Sequence, residues 1–277
     1  MDGTLLDADH QVPPETIDAI GEARAAGLRI CLATGRSYGE TIDIWGELKL
    51  HPPFEPMVLI GGALVSEPDT GRTLYQRTIR RDLAEEFADA LGEAGYAAMA
   101  IVDAWRYGWD YVLCETGDVH AAQRDWFEKM RVKVRRVGRL GEIPDLPNPL
   151  RISAVVGAQD AEQLVGALRR RFEHRLNVHA IVAPNYGVTV VEGFSVEAGK
   201  FNALKYVAQG YRIAPGAIAA IGDDVNDAAM IRGAGLGAAM PHASPALRRT
   251  ADCVATDGLG KFIRRLAAGE FDQGARK

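Results

Sequence analysis

Helical and strand patterns alternate at both ends of this chain and stop alternating in the middle, and that interruption limits the possible folds more than any other feature. After Pro13, Pro14 and Glu15, a helical pattern with Ile17, Ile20 and Ala23 on one face runs to Gly27. Residues 28–33 read as a buried strand entering the turn Thr34-Gly35-Arg36. A second helix over 38–48 and a strand over 56–60, ended by Gly61 and Gly62, continue the alternation that predicts a parallel sheet. Pro68 to Gly71 then marks a hairpin turn. From residue 79 the order changes: a helix over 81–95, strands over 97–102 and 106–113, a helix over 118–129, and strands over 131–136 and 151–156. A helix over 160–172 and strands over 178–182 and 187–191 complete this block. Strand pairs without intervening helices predict an antiparallel α+β module. From Lys200 alternation returns to the end of the chain. The expected fold is therefore α/β: a Rossmann-like parallel-sheet core assembled from residues 1–78 and 193–277, split by an inserted α+β domain over 79–192.

The 277 residues are enough for two cores, and 32 Lys+Arg against 37 Asp+Glu give a net charge of −5. That balance argues against a nucleic-acid or anionic-membrane partner and for small ligands, or ligands that bring their own cation. Cys31, Cys114 and Cys253 are far apart and lack a C-x-x-C pattern, which excludes a disulfide framework and a zinc ribbon. No apolar run reaches the ~18 residues of a membrane span, and the first residues lack the pattern of a signal peptide. A cytoplasmic protein of undetermined oligomeric state is expected.

Three polar clusters stand at the carboxyl ends of predicted strands or beside them, where open α/β sheets place ligands. Thr34-Gly35-Arg36 offers a hydroxyl and loop amides, a plausible phosphate cradle. Gly222-Asp223-Asp224-Val225-Asn226-Asp227 brings three carboxylates and an amide together; their repulsion is relieved by a hard cation, and Mg²⁺ with phosphate fits best. Asp2-Gly3-Thr4 opens the chain, and Lys200 adds a cation able to neutralise a transferring phosphoryl group. Taken singly, each has a plainer reading: a common loop, a helix-capping acidic run, a solvated lysine. Competing motifs fail on spacing. Residues 193–199 are one too long for a nucleotide loop and Phe201 replaces its Ser/Thr. Gly233 to Gly237 follows a helix where a dinucleotide turn follows a strand, and Ala234 occupies the twelfth position of a would-be calcium loop.

Together, Asp2-Gly-Thr-Leu-Leu, Ala33-Thr-Gly-Arg36, Lys200 and Gly222-Asp-Asp-Val-Asn-Asp227 resemble, in order and spacing, the four motifs of the haloacid dehalogenase superfamily. The large insert resembles the type IIB cap of Cof-like phosphatases, and Gly61-Gly-Ala63, Val196 to Lys200 and Gly237 to Met240 add matches. The resemblance implies a Mg²⁺-dependent phosphomonoester hydrolase of small phosphorylated metabolites such as sugar phosphates, working through an aspartyl-phosphate. It implies that Asp2 is the acid/base, that Gly3, Thr34, Gly35, Lys200 and Asn226 hold phosphate, and that Lys200 also orients the nucleophile. Asp223, Asp227 and the Asp2 backbone carbonyl would hold the metal; Arg36 would support its loop.

One departure matters. The family's nucleophile stands two residues before the acid/base, which from Asp2 is a position outside these 277 residues, as is the strand leading into it. Asp7 and Asp9 lie past the glycine turn and are poor substitutes. The expectation is that the chain as written is inactive in phosphoryl transfer. Either translation starts upstream at a segment ending in Asp, or the product is a non-catalytic ligand or metal binder; a phosphomutase is the remaining enzyme alternative. In the insert, Arg131, Lys133 and Arg135 form a basic strand face, read as solvated ahead of substrate-facing. Trp105, Tyr107, Trp109 and Tyr111 form a period-two aromatic set, read as hairpin packing. His120, His174 and His179 have no ligand spacing.

Overall fold

The computed structural model describes residues 1–7, 9–129, 132–183 and 187–271. The chain divides into two compact units, one of Met1–Tyr75 with Gly199–Lys277, the other of Gln76–Ala198. In chain order the elements are α1 (Pro14–Ala25), α2 (Tyr38–Glu47), β1 (Met57–Leu59), β2 (Leu64–Ser66), β3 (Thr73–Gln76), α3 (Arg81–Glu93), β4 (Ala98–Ile101), α4 (Ala104–Tyr107), β5 (Tyr111–Cys114), α5 (Ala121–Lys129), β6 (Val134–Val137), β7 (Arg151–Gly157), α6 (Ala158–Arg171), β8 (Leu176–Ala183), β9 (Val188–Ser195), α7 (Lys200–Gly210), β10 (Ala219–Gly222), α8 (Ala228–Gly233), β11 (Leu236–Ala239), α9 (Pro245–Thr250), β12 (Cys253–Val254) and α10 (Leu259–Ala267).

In the first unit, the described strands form two three-stranded sheets, β1-β2-β3 and the parallel β10-β11-β12. Helix α1 starts on Pro14, whose fixed φ and missing N–H suit a first helical turn. Its buried Ala19, Ile20 and Ala23 join Leu5, Leu6, Val12, Leu236, Phe262 and Ile263 in one core. Residues 28–33 differ from the expected buried strand. They meet β1 through a single parallel bridge, Ala33 to Val58, with Val58 N–H donating to Leu32 O (2.8 Å) and Thr34 N–H to Val58 O (2.9 Å). Leu28 is 38% exposed. A run of apolar residues becomes a strand only where a ladder completes it. Among the described residues none joins 28–33 to β10, whose single ladder runs to β11.

The second unit is a six-stranded sheet, β6-β5-β4-β7-β9-β8, antiparallel except for β5–β6. Those two run parallel because α5 crosses between them. Helices α3 and α6 cover one face: Phe87, Leu91, Leu164, Leu168 and Phe172 pack on Ala98, Ala100, Val112, Ile152, Ala154, Val156 and Val191. Residues alternate sides along a strand, so Arg151, Ser153 and Glu192 belong to the opposite face. There Ser153 pairs with Glu192 and Glu192 with His179 in register. Arg151 donates to Glu192 Oε1 (3.0 Å), and His179 Nε2 lies 3.4 Å from Glu192 Oε2.

The expected strand over 106–113 is shortened by a helical turn, α4. The Asp103 side chain accepts the Arg106 N–H at its start, and Gly108 (φ +74°) ends it. Trp105 and Tyr107 are consequently exposed instead of pairing across a hairpin, while Trp109 lies under Arg135 (5.4 Å) and Tyr111 packs edge-on against Trp126 (5.3 Å). In the basic segment, Arg131 lies outside the described residues, and Lys133 donates to Gly108 O (3.1 Å).

Candidate active site

The turn at the start of the chain is built on one carbonyl: Thr4, Leu5 and Leu6 N–H all donate to Met1 O, at 3.2, 2.8 and 3.1 Å. Buried Leu5 and Leu6 anchor it in the first unit's core. Gly3, at φ +69°, touches the end of β10 so closely that a Cβ there would sit 2.3 Å from Asp223 Oδ2. Thr4 Oγ1 donates to Asp223 Oδ1 (2.6 Å). Asp2 and Gly3 are thereby set against the acidic loop that follows β10.

The second loop is fixed through backbone. Thr34 is buried, its carbonyl accepts Gly61 N–H (2.9 Å), and its hydroxyl accepts Arg36 N–H (3.1 Å). Helix α2 then begins on a capping box in which Ser37 N–H and Oγ donate to Glu40 Oε2, at 2.9 and 2.6 Å. Gly62, at φ +91°, brings the turn after β1 against the start of α7. A Cβ there would lie 2.2 Å from the Gly199 carbonyl carbon and 2.5 Å from Lys200 N. Only glycine allows that approach.

Lys200 opens α7 and is buried, and its Nζ donates to Asn226 Oδ1 (2.8 Å) and Asp227 Oδ1 (2.7 Å). Asp227, also buried, accepts the Asp223 and Asp224 N–H groups on Oδ2, at 3.1 and 3.2 Å. Asp2, Gly3, Thr34, Gly35, Lys200, Asn226, Asp223 and Asp227 thus belong to one unit and are linked through direct contacts or adjacent loop residues. Sequence reasoning missed His242, whose Nε2 is 4.0 Å from Asp223 Oδ2, and the contacts of two residues it had named: Thr4, which fixes Asp223, and the side chain of Arg36. Arg36 Nε donates to Asp2 Oδ2 (2.9 Å) and Nη2 to Asp2 Oδ1. Residues 34 positions apart in sequence carry no spacing signal for such a pair.

The electrostatics are those of crowded carboxylates. Burial raises the pKa of Asp223, and the charges of Asp227 and Asp224 add to it against the Thr4 hydrogen bond and the Met1 ammonium. Burial acts on Asp2 in the same sense, but the Arg36 hydrogen bonds and charge together outweigh it and leave Asp2 below its usual value.

Among the described residues, no group of three or more His, Cys, Asp and Glu side chains is arranged to hold a metal ion. The available donors are two carboxylates. Asp227 uses both oxygens on Lys200 and two amides, so Asp223 would be the principal ligand of a metal there and Asp227 the second. Mg²⁺ binds one or two carboxylates and completes its shell with water and phosphate, so it fits this donor set, whereas a fully protein-caged ion does not. A cation would also offset the burial that raises Asp223 and the carboxylate repulsion that adds to it.

A family model of haloacid dehalogenase-like hydrolases matches residues 1–259. The chain is 24% identical over 268 residues to phosphatase YwpJ of Bacillus subtilis, covering 92% of each chain. It is 25% identical over 282 residues to pyridoxal phosphate phosphatase YbhA of Escherichia coli, covering 95% of each. Its fold matches the solved structure of the HAD subclass IIB sugar phosphatase BT4131 with TM-score 0.76 at 19% identity, covering 96% of each chain. Among the described residues no helix is long and apolar enough to cross a membrane.

Proposed function

The chain belongs to the haloacid dehalogenase-like hydrolases, and on that premise we propose that its site hydrolyses phosphomonoesters of small phosphorylated metabolites, sugar phosphates among them, with Mg²⁺. The observation that carries this reading is the buried Lys200 ammonium, held by Asn226 and Asp227 beside Asp223. A buried lysine fixed by two acceptors is a preset positive charge for a phosphoryl group, and removing one such group costs roughly 10²–10³-fold in kcat. Gly3, Thr34, Gly35 and Asn226 would hold phosphate oxygens; Asp223, Asp227 and the Asp2 carbonyl would hold the metal. Mg²⁺, when bound, would neutralise phosphate charge. Asp2 would protonate the leaving oxygen and later accept a proton from water. The related phosphatases support the substrate class: YbhA is named for pyridoxal phosphate and BT4131 for sugar phosphates. The division of the chain supports reading residues 79–192 as a type IIB cap inserted in the hydrolase core.

The carboxylate nucleophile of this chemistry would stand two residues before Asp2, outside the 277 residues. Turnover of p-nitrophenyl phosphate with Mg²⁺ tests the reading on two polypeptides. The 277 residues alone are expected to be inactive. An extension with the gene's upstream codons, placing Asp at that position, is expected to be active and silenced by EDTA. An inactive extension would leave a non-catalytic ligand binder. Turnover by the 277 residues that survives EDTA yet is abolished by Asp2→Asn would refute the metal and the nucleophile assignments together.

A further inference from the structure

We propose that Arg36 is the positioning residue for the Asp2 carboxylate, an inference that rests on the reading of Asp2 as the proton donor and acceptor. Asp2 sits on a turn at the surface, with its side chain 54% exposed. An aspartate in that setting samples several rotamers unless something fixes it. The guanidinium does so through two parallel bonds, Nε to Oδ2 at 2.9 Å and Nη2 to Oδ1, a fork that sets the plane of the carboxylate as well as its place. The His10 imidazole, through Nδ1, is 3.8 Å from Oδ1, beyond hydrogen-bond reach.

The fork is itself held. Arg36 N–H donates to Thr34 Oγ1 (3.1 Å), its carbonyl accepts Ile60 N–H (2.9 Å), and Nη1 donates to Glu40 O (3.4 Å). It immediately precedes the capping box that starts α2. Ion pairs between freely moving surface side chains contribute little; this arginine has its N–H committed to Thr34 in the loop expected to hold phosphate, its carbonyl to the turn after β1 and a further side-chain nitrogen to α2. The loop that would bind the phosphoryl group therefore also aims the carboxyl group that serves it.

The proton balance sets what the fork must allow. As the carboxylate nucleophile bonds to phosphorus, the ester P–O bond breaks, its electron pair goes to the leaving oxygen, and that oxygen takes the proton from Asp2. Water then adds its oxygen to phosphorus, displaces the nucleophile, and returns a proton to Asp2. Each Asp2 oxygen keeps a second lone pair outside the fork, so the proton can come and go while Arg36 stays engaged.

The test separates leaving groups. kcat/KM reports only steps up to departure of the first product, and p-nitrophenolate departs without a proton whereas an alkoxide needs one. In the active extended chain, Arg36→Ala is expected to lower kcat/KM for glycerol 2-phosphate by about 100-fold and for p-nitrophenyl phosphate by less than about threefold. Arg36→Lys, which restores charge without the fork, is expected to recover less than about tenfold of the loss. Equal losses on both substrates would mean that Arg36 acts on the phosphate they share and would overturn the proposal, as would no loss on either. If the extended chain hydrolyses neither substrate, the reading of function fails first. Crystal structures of the 277-residue protein and its Arg36→Ala variant then decide separately: one Asp2 rotamer in the parent and several in the variant support the positioning role, and an unchanged rotamer overturns it.

Discussion

Replacing Gly62 with alanine isolates what the contact between the turn after β1 and the start of α7 contributes. Two costs are expected. Holding a residue with a Cβ at φ +91° costs about 1–2 kcal/mol. The Cβ would also lie 2.2 Å from the Gly199 carbonyl carbon, where ordinary contact begins at 3.4 Å, so the backbone at Gly199–Lys200 must shift by about 1.2 Å. Forced overpacking of that kind costs a further ~1–3 kcal/mol. The sum, roughly 2–5 kcal/mol, corresponds to a fall in Tm of about 5–15 °C for a protein of this size. Gly27 supplies a matched control: its φ is +92° and nothing lies within 4 Å of its Cβ position, so Gly27→Ala carries the conformational cost alone. Thermal unfolding of both variants in one buffer gives the contact energy as their difference. Because Lys200 moves with its backbone, Gly62→Ala should also lower kcat of the extended enzyme by about 100-fold, and Gly27→Ala should not. Equal melting temperatures for the two variants would refute the contact argument, and unchanged kcat in Gly62→Ala would refute its link to Lys200.

Two further outcomes follow from charges. Asp223 has a folded pKa raised above its unfolded value, so the folded state binds its proton more tightly and stability falls as pH rises through the window from the unfolded to the folded value. Without metal, Asp223→Asn should therefore melt higher than the parent at neutral pH, with the gap closing below the unfolded value; added Mg²⁺ should raise the Tm of the parent and not of the variant, as differential scanning calorimetry can check. In the second unit, Glu192→Ala leaves Arg151 buried without its ion pair to that residue and should cost about 3–5 kcal/mol in chemical denaturation, while a paired Arg151→Met, Glu192→Leu replacement should cost far less.

The sequence is most legible where the local chemistry is decisive. Helix α9 starts on Ser244 and Pro245, a side-chain cap followed by a proline in the first turn. The glycine pair after β1 and the acidic loop after β10 are equally plain, because each places unusual residue types beside an apolar run. What escaped depends on partners remote in sequence. The Arg36 fork needs Asp2, 34 positions away. Arg151, Glu192 and His179 meet only once β7, β9 and β8 are in register. Residues 28–33 have the composition of a strand, but composition cannot supply the neighbouring ladder. The aromatic set over 105–111 misled through its period of two, which Asp103 and Gly108 override by capping a helical turn.

Because one unit interrupts the other, synthesis itself imposes an order on folding. The 123 residues from Gln76 to Ala198 form a continuous stretch and can fold as soon as they leave the ribosome. The first 75 cannot finish: Leu5, Leu6, Val12 and Ile20 pack against Leu236, Phe262 and Ile263, which are translated last. At ~5–20 residues per second, the interruption alone keeps those apolar side chains waiting for about 6–25 s. During that interval the early segment presents an unfinished surface to chaperones, and slowing or speeding translation of residues 76–198 should change how much of the protein reaches its native state.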